Sequence, residues 1–396
     1  MAVVQAAVFR SPAARFILLL GIVSLGADMT YEGARSIAGP FLAVLGASAT
    51  AVGVIAGLGE LIGYGLRLAS GHLADRTGRY WTITVLGYAL NLAAVPLLAL
   101  AGRWEVAAGL IIAERVGKAI RTPARDAMLS HAAHAVGRGW AFGVHEALDQ
   151  IGAVLGPLLV AAVLATTRSY PRSFAVLLVP AVLALGTLGA ARRFYPHPRA
   201  LEPTVPTVDF QGIQHGFWLY LAAVACIAAG FADFPLMAFH LARAAVAPQG
   251  WIPLFYALAM GVDAVAALVF GRLFDRRGLV VLVVATLLSS LAAPLVFLGG
   301  FALALAGVTL WGVGMGAQES IMRAAIASIV PPHRRGSAYG LFNAGYGVAW
   351  FAGSALMGVL YDRSVWALVA FSVTAQMVAL PLLLLVGRHW GARKGR

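Results

Sequence analysis

Gly71-His-Leu-Ala-Asp75-Arg76-Thr-Gly78-Arg79 is the stretch whose reading decides the fold, because the chain repeats it in weaker form as Gly271-Arg-Leu-Phe-Asp275-Arg276-Arg-Gly278. The copies start 271 − 71 = 200 residues apart in a chain of 396 residues, half its length. Other echoes fall near the same offset. Arg138-Gly-Trp-Ala-Phe-Gly143 is echoed by Arg335-Gly-Ser-Ala-Tyr-Gly340, and Ala27-Asp28 by Ala232-Asp233. The chain therefore reads as a duplicated half.

What surrounds the repeats is apolar. Hydrophobic residues make up 61% of the chain and charged residues 11%, against about 45–50% and about 25% in soluble domains. Such an excess has no soluble core to enter, so the bilayer is the expected solvent. A ruler of roughly 17–25 apolar residues per crossing marks spans at 16–38, 47–69, 80–101, 105–127, 140–166 and 172–192. A second set follows at 216–242, 250–270, 279–299, 301–328, 337–361 and 364–387. Between the sets lies the Pro-rich, charged stretch 193–215, RFYPHPRALEPTVPTVDFQGIQH, which reads as a linker between halves 1–192 and 216–396. The first span follows a short N-terminal stretch directly and reads as uncleaved. The lone Cys226 excludes an internal disulfide framework.

The net charge of +13 would point a soluble chain toward nucleic acid, but here arginine marks topology. Arg10, Arg15, Arg76, Arg79, Arg138, Arg192, Arg193, Arg199, Arg272, Arg276, Arg277, Arg334 and Arg335 flank one set of connections, and Arg388, Arg393, Lys394 and Arg396 close the chain. The alternate connections hold only Arg103, Arg168, Arg172, Arg243 and Arg363. By the positive-inside rule both termini are expected in the cytoplasm, which requires an even number of spans.

The Gly-x-x-x-Asp-Arg-x-Gly-Arg loop resembles the signature loop of the major facilitator superfamily, whose second copy is also weaker. Glu114-Arg115-Val-Gly-Lys118 is similar to that family's fourth-helix motif, without its Gln-Gly pair. Gly152-Ala-Val-Leu-Gly156-Pro157 is similar to an element of the drug and metabolite antiporter branch, with Leu159-Val160 where a double glycine usually follows. The resemblance spans the chain. It implies an all-α membrane protein of twelve helices in two parallel six-helix repeats around a central cavity. The implied function is proton-coupled efflux of a small organic molecule by alternating access, as a monomer in the inner membrane of a bacterial cell. Proton-coupled uptake of a metabolite or organic anion is the alternative, favoured by Arg35, Arg115 and Lys118. No cofactor, metal or nucleic acid is expected; a proton gradient supplies the energy.

Charges inside spans are costly and mark function. Asp28, Glu32 and Arg35 are spaced i, i+4, i+7 and share a helix face. Glu114, Arg115 and Lys118 lie in the fourth span and Asp149 in the fifth; Asp233 and Glu319 are second-half counterparts. In the resembled fold spans one, four, seven and ten line the cavity, which makes most of these residues cavity candidates. Asp28, then Glu32 and Asp149, are the expected proton carriers, and Arg35, Arg115 and Lys118 the neutralising or anion-binding groups. Structural pairing, such as Glu32 with Arg35 or Glu114 with Lys118, is the competing reading. The repeated loops read as cytoplasmic gates. Gly71 and Gly78 allow a close approach and a tight turn, Asp75 can cap, and Arg76 and Arg79 can bridge to a facing element. Arg125 and Asp126 are the expected clasp partners, and Gly271, Asp275, Arg276 and Gly278 the second gate. His131 and His134 lack a third ligand and read as solvated surface. His145 beside Glu146 reads as pH-sensitive or interfacial. Trp81, Trp104, Trp140, Trp218, Trp251, Trp366 and Trp390 read as an interfacial belt. No H-E-x-x-H, G-x-S-x-G or Cys/His cluster favours an enzyme, and no long connection supplies a receptor domain.

Overall fold

A computed structural model describes residues 11–196, 215–330 and 335–394. Most of the expected linker falls outside the described residues, as do Arg10, Arg199, Arg334 and Arg396. Among the described residues the regular elements are all helical. They are α1 Pro12–Val44, α2 Ala49–Thr77, α3 Tyr80–Leu97, α4 Trp104–Val136, α5 Arg138–Thr167, α6 Tyr170–Ala175 and α7 Leu178–Phe194. After the linker come α8 His215–Gly230, α9 Phe234–Arg243, α10 Ile252–Arg277, α11 Val280–Ser290, α12 Ala292–Leu298, α13 Phe301–Ile329, α14 Arg335–Arg363 and α15 Val365–Lys394.

Among the described residues eleven segments are long and apolar enough to cross a membrane. The expected twelfth, 105–127, lies within α4. That helix has 33 residues, ample length for a crossing, but Glu114, Arg115, Lys118, Arg121, Arg125 and Asp126 interrupt its apolar run. The chain is a multi-pass membrane protein.

Two compact units form, one of Met1–Arg35 with Leu66–Val205 and the other of Ser36–Gly65 with Pro206–Arg396. In the first, α3 and α4 run in backbone contact: a Cβ on Gly87 would lie 2.8 Å from the Gly117 carbonyl oxygen and 2.6 Å from the Arg121 amide nitrogen. Bare glycine thus sets the spacing of the two helices. In the second unit α8 stops at Gly230 and α9 restarts at Phe234, with Pro235 in its first turn. The break exposes backbone acceptors that indoles and hydroxyls satisfy. Trp311 Nε1 donates to the Ala232 carbonyl at 2.8 Å, and Ser372 Oγ to the Gly230 carbonyl at 2.6 Å.

The repeated loops are mostly helix. Asp75, Arg76 and Gly71 lie within α2, and Asp275, Arg276 and Gly271 within α10. What repeats is the stop. Gly78 at φ 66° and Gly278 at φ 63° each donate their N–H four residues back, to Ala74 and Phe274, at 2.8 Å in both cases. A positive φ at the residue after a helix favours glycine over any residue bearing a Cβ.

The start of α2 is held by a residue far along the chain in the same unit. Asp362 near the end of α14 accepts from the Ala49 amide at 3.2 Å, the Thr50 amide at 2.8 Å and the Thr50 hydroxyl at 2.7 Å. An anionic acceptor at a helix N-terminus satisfies orphan donors and complements the helix dipole. Asp362→Ala is expected to lower stability by about 1–2 kcal/mol, read as a lower melting temperature of the purified protein, with Asp362→Asn losing less.

Candidate functional site

A group of ionisable residues of the first unit converges where α1, α3, α4 and α5 meet. Along α4, Arg115, Lys118, Arg121 and Arg125 are spaced by three, three and four residues and form one basic stripe. Opposite, α1 presents Asp28 and Glu32, and α5 presents His145 and Asp149. Arg115 Nε lies 3.2 Å from Glu114 Oε2, while Asn91 of α3 donates to Glu114 Oε1 at 2.8 Å. Lys118 Nζ stands 3.8 Å from Glu32 Oε1 and 3.8 Å from the centre of the Tyr31 ring. Arg125 binds Asp126 through Nε at 2.9 Å and Nη2 at 2.8 Å, and lies 3.9 Å from Asp149 Oδ2.

Asp28 is 6% exposed and hydrogen-bonds with Tyr31 one turn on; its Oδ1 accepts from nothing. The α5 motif puts the helix on this turn. A Cβ on Gly152 would lie 3.0 Å from Asp28 Cβ, and one on Gly156 would meet the Met29 backbone at 2.8 Å. Pro157 continues within α5. The Gly-x-x-x-Gly pair thus brings α5 and its carboxylate, Asp149, against the turn of α1 that carries Asp28.

A hydrogen-bonded row lies beside Asp28. Asp149 Oδ2 is 3.4 Å from His145 Nδ1, His145 Nε2 is 3.1 Å from Ser24 Oγ, and Ser24 Oγ is 3.4 Å from the Tyr88 hydroxyl. Arg125 Nη1 donates to Ser24 Oγ at 2.9 Å. Nδ1–H points to the Asp149 carboxylate, so neutral His145 accepts from Ser24 through Nε2. When the ring is protonated, Nε2–H donates to Ser24 Oγ and the serine proton turns to Tyr88. Both charge states of His145 keep their hydrogen bonds, so the row can take up and release a proton without breaking. The same atoms in a hydrolase would need a reachable nucleophile, but Ser24 is fully buried. Ser24 carries no sequence mark; His145 was read beside Glu146, whereas its partner is Asp149 at i+4.

The other candidates lie elsewhere. Arg35 is half-buried on α1. Asp75 accepts from the Tyr80 hydroxyl at 3.0 Å within its own hairpin, and Arg76 and Arg79 are exposed. Arg125 points into the charge cluster through Ser24 and Asp149, so in this structure it is a member of that cluster. Its partner Asp126 has a side chain 45% exposed. A Cβ on Gly71 would lie 3.3 Å from Pro123 Cβ of α4. In the second unit Asp233 is buried at the α8–α9 break, where Trp350 Nε1 donates to Oδ1 at 2.9 Å and Ser354 Oγ to Oδ2. Glu319 is exposed on α13. Around Asp233 the second unit is aromatic: Tyr220, Phe342, Tyr346, Trp350, Phe231 and Trp311 follow ring against ring at 5.3–6.4 Å. Trp218, Trp251 and Trp366 are exposed near helix ends, but Trp81 is buried and donates to the Tyr195 carbonyl at 2.9 Å.

A multi-pass helical protein with a charged interior of this kind belongs to the membrane transporters. The family model of the Major Facilitator Superfamily matches residues 18–278 and 216–394, and the chain belongs to that family. A Mycobacterium tuberculosis protein, Rv2265, is 44% identical over 381 residues, covering 94% of this chain and 93% of its own. MJ1317 of Methanocaldococcus jannaschii, described as an MFS-type transporter, is 33% identical over 144 residues, 36% of each chain. Among solved structures, a bacterial homologue of the human lysosomal transporter Spinster superposes with a TM-score of 0.75 at 14% identity, covering 96% of this chain and 97% of that one. A POT family transporter in complex with 5-aminolevulinic acid gives 0.74 at 13%, covering 94% and 95%. At that identity the two structures share the fold. The family is one of transporters, and the enzyme and receptor readings give way to it.

Proposed function

We propose that this transporter exchanges protons for a small organic molecule, driving its efflux across the inner membrane by alternating access. The observation that carries the reading is Asp28, a carboxylate buried in α1 with Oδ1 unpartnered, next to the Asp149–His145–Ser24 row. A buried carboxylate is least costly when it is neutral, so an acid in this place is suited to hold a proton in one stage of a cycle and give it up in another. His145 offers a second carrier one hydrogen bond from Asp149. In this reading α4 is the twelfth crossing, its charges turned to the protein interior, and the termini face the cytoplasm. The turns at Gly78 and Gly278 then lie on the cytoplasmic side, where Asp75, Arg76, Arg79, Asp275 and Arg276 gate the two halves. The chain acts as a monomer with the proton gradient as its energy source.

Proton-coupled uptake of a metabolite or organic anion is the second reading, favoured by the basic stripe of α4. The two differ in sign. In proteoliposomes carrying a pH-sensitive dye, a molecule that stabilises the purified protein is expected to dissipate an imposed proton gradient when exchanged, whereas co-accumulation with protons would favour uptake. His145→Gln is expected to slow proton movement by roughly 10²-fold or more while binding of that molecule persists. Unchanged proton flux in the variant would remove His145 from the relay.

A further inference from the structure

Three of the four cations on the α4 stripe have a carboxylate beside them. Arg115 has Glu114, Lys118 has Glu32 and Arg125 has Asp126. Arg121 has none, although it is 1% exposed and the most buried of the four. The centre of its guanidinium lies 4.2 Å from the Tyr88 ring centre and 5.8 Å from that of Tyr31. Aromatic contact serves the face of a guanidinium and leaves its N–H edge unserved, and here Nε and Nη1 donate to no acceptor. Asp28 on α1 mirrors this state, with Oδ1 buried and accepting from no donor. No ion pair joins the two. A buried donor or acceptor left unmade costs about 1–3 kcal/mol, and more when charged. Protein interiors rarely retain such groups without a use. Satisfying each other would remove both costs, yet both stay buried and unmade.

We infer that the space between Arg121 and Asp28 is the substrate subsite, and that it takes a small zwitterion. The ligand's carboxylate or phosphate meets the Nε–Nη1 edge of Arg121, a planar fork suited to two-point recognition of an oxyanion. Its ammonium meets Asp28 Oδ1. An anion alone would leave Asp28 unsatisfied, and a cation alone would leave Arg121 so; buried mismatch of that kind is how polar sites reject analogues. This rests on the transport reading of the same cluster, and it adds which molecules that cluster accepts.

The test is thermal stabilisation of the purified full chain by a sorted panel. Free amino acids, dipeptides, betaine and phosphocholine form the zwitterionic arm; N-acetyl amino acids and amino-acid methyl esters supply matched anions and cations. A ligand that binds the folded state raises its apparent stability by mass action. Stabilisation is expected to concentrate in the zwitterionic arm and to vanish in Arg121→Gln. Arg121→Lys keeps the charge without the fork, so affinity is expected to fall roughly tenfold, about 1.4 kcal/mol; it also covers the case in which Arg121→Gln fails to fold. Three results would overturn the inference: acetylated or esterified forms that bind as well as their zwitterionic parents, binding undiminished in both Arg121 variants, or a panel in which no zwitterion stabilises the wild type. Proton flux is read separately. An ester that drives Asp28-dependent proton movement would leave the transport reading standing and remove this one. A zwitterion that binds through Arg121 and moves no protons would do the reverse.

Discussion

Asp28→Asn is expected to bring gradient-driven transport down to the level of protein-free liposomes while leaving counterflow exchange partly intact. Asparagine keeps the shape of the side chain and its contact with Tyr31, but it cannot carry a proton. Exchange without a gradient needs only binding and the conformational cycle, and Asn Oδ1 still accepts from a substrate ammonium without the charge, so exchange persists in part. The substitution removes a buried charge whose Oδ1 has no hydrogen-bond partner, and therefore removes a desolvation cost. A melting temperature close to that of the wild type should accompany the functional loss, separating it from misfolding. Wild-type accumulation in this variant would exclude Asp28 as the coupling group and pass that role to Asp149 and His145.

Gly156→Val is expected to have the largest effect on stability. A Cβ there would fall on the Met29 carbonyl oxygen and lie 2.8 Å from its Cα. Gly33 meets the same place from the other side, since its own Cβ would lie 3.2 Å from the Gly156 carbonyl oxygen. The obstruction is backbone on both faces, which no rotamer change relieves. Overpacking of this kind costs about 3 kcal/mol, read as a depressed melting temperature in detergent. Because the same contact presses α5 onto the Asp28 turn, the surviving folded fraction should also show weakened coupling between proton flux and transport. Gly63→Val serves as the control, since nothing lies within 4 Å of that position, and it is expected to be tolerated.

The membrane character of the chain was legible in composition, because apolar excess has only one place to go. The repeated stretch was legible too, since a positive-φ stop at Gly78 and Gly278 leaves the same glycine in the sequence at both sites. The span marked at 105–127 lies in α4 but is not among the eleven apolar crossings, because its run is broken by charges that α4 turns toward α1, α3 and α5. The break between α8 and α9 was not marked: 216–242 was read as one span despite Asp233 and Pro235, and the Ala232 carbonyl it frees is capped by Trp311, more than seventy residues away in the chain.

The candidate site divides the same way. Spacing alone placed Asp28 and Glu32 on one face, because helical periodicity is a local property. It did not identify their partners. Glu32 reaches Lys118 on another helix, and Glu114 is held by Asn91 and Arg115. Arg125 and Asp126, which order along the chain assigns to a clasp with the Asp75 loop, are drawn instead to each other, with Arg125 also bound to Ser24. Asp233 looked like the counterpart of Asp28 but lies among indoles with both oxygens engaged.

The repeated Gly71–Arg79 stretch, the apolar spans and the placement of arginine came from the sequence by itself, and they pointed to a multi-pass membrane protein of transporter type. Which charges meet was decided only by tertiary structure. Close approaches at Gly87, Gly117, Gly152 and Gly156 bring these helices together, and among them Asp28 Oδ1 and the Arg121 edge stay buried without a partner.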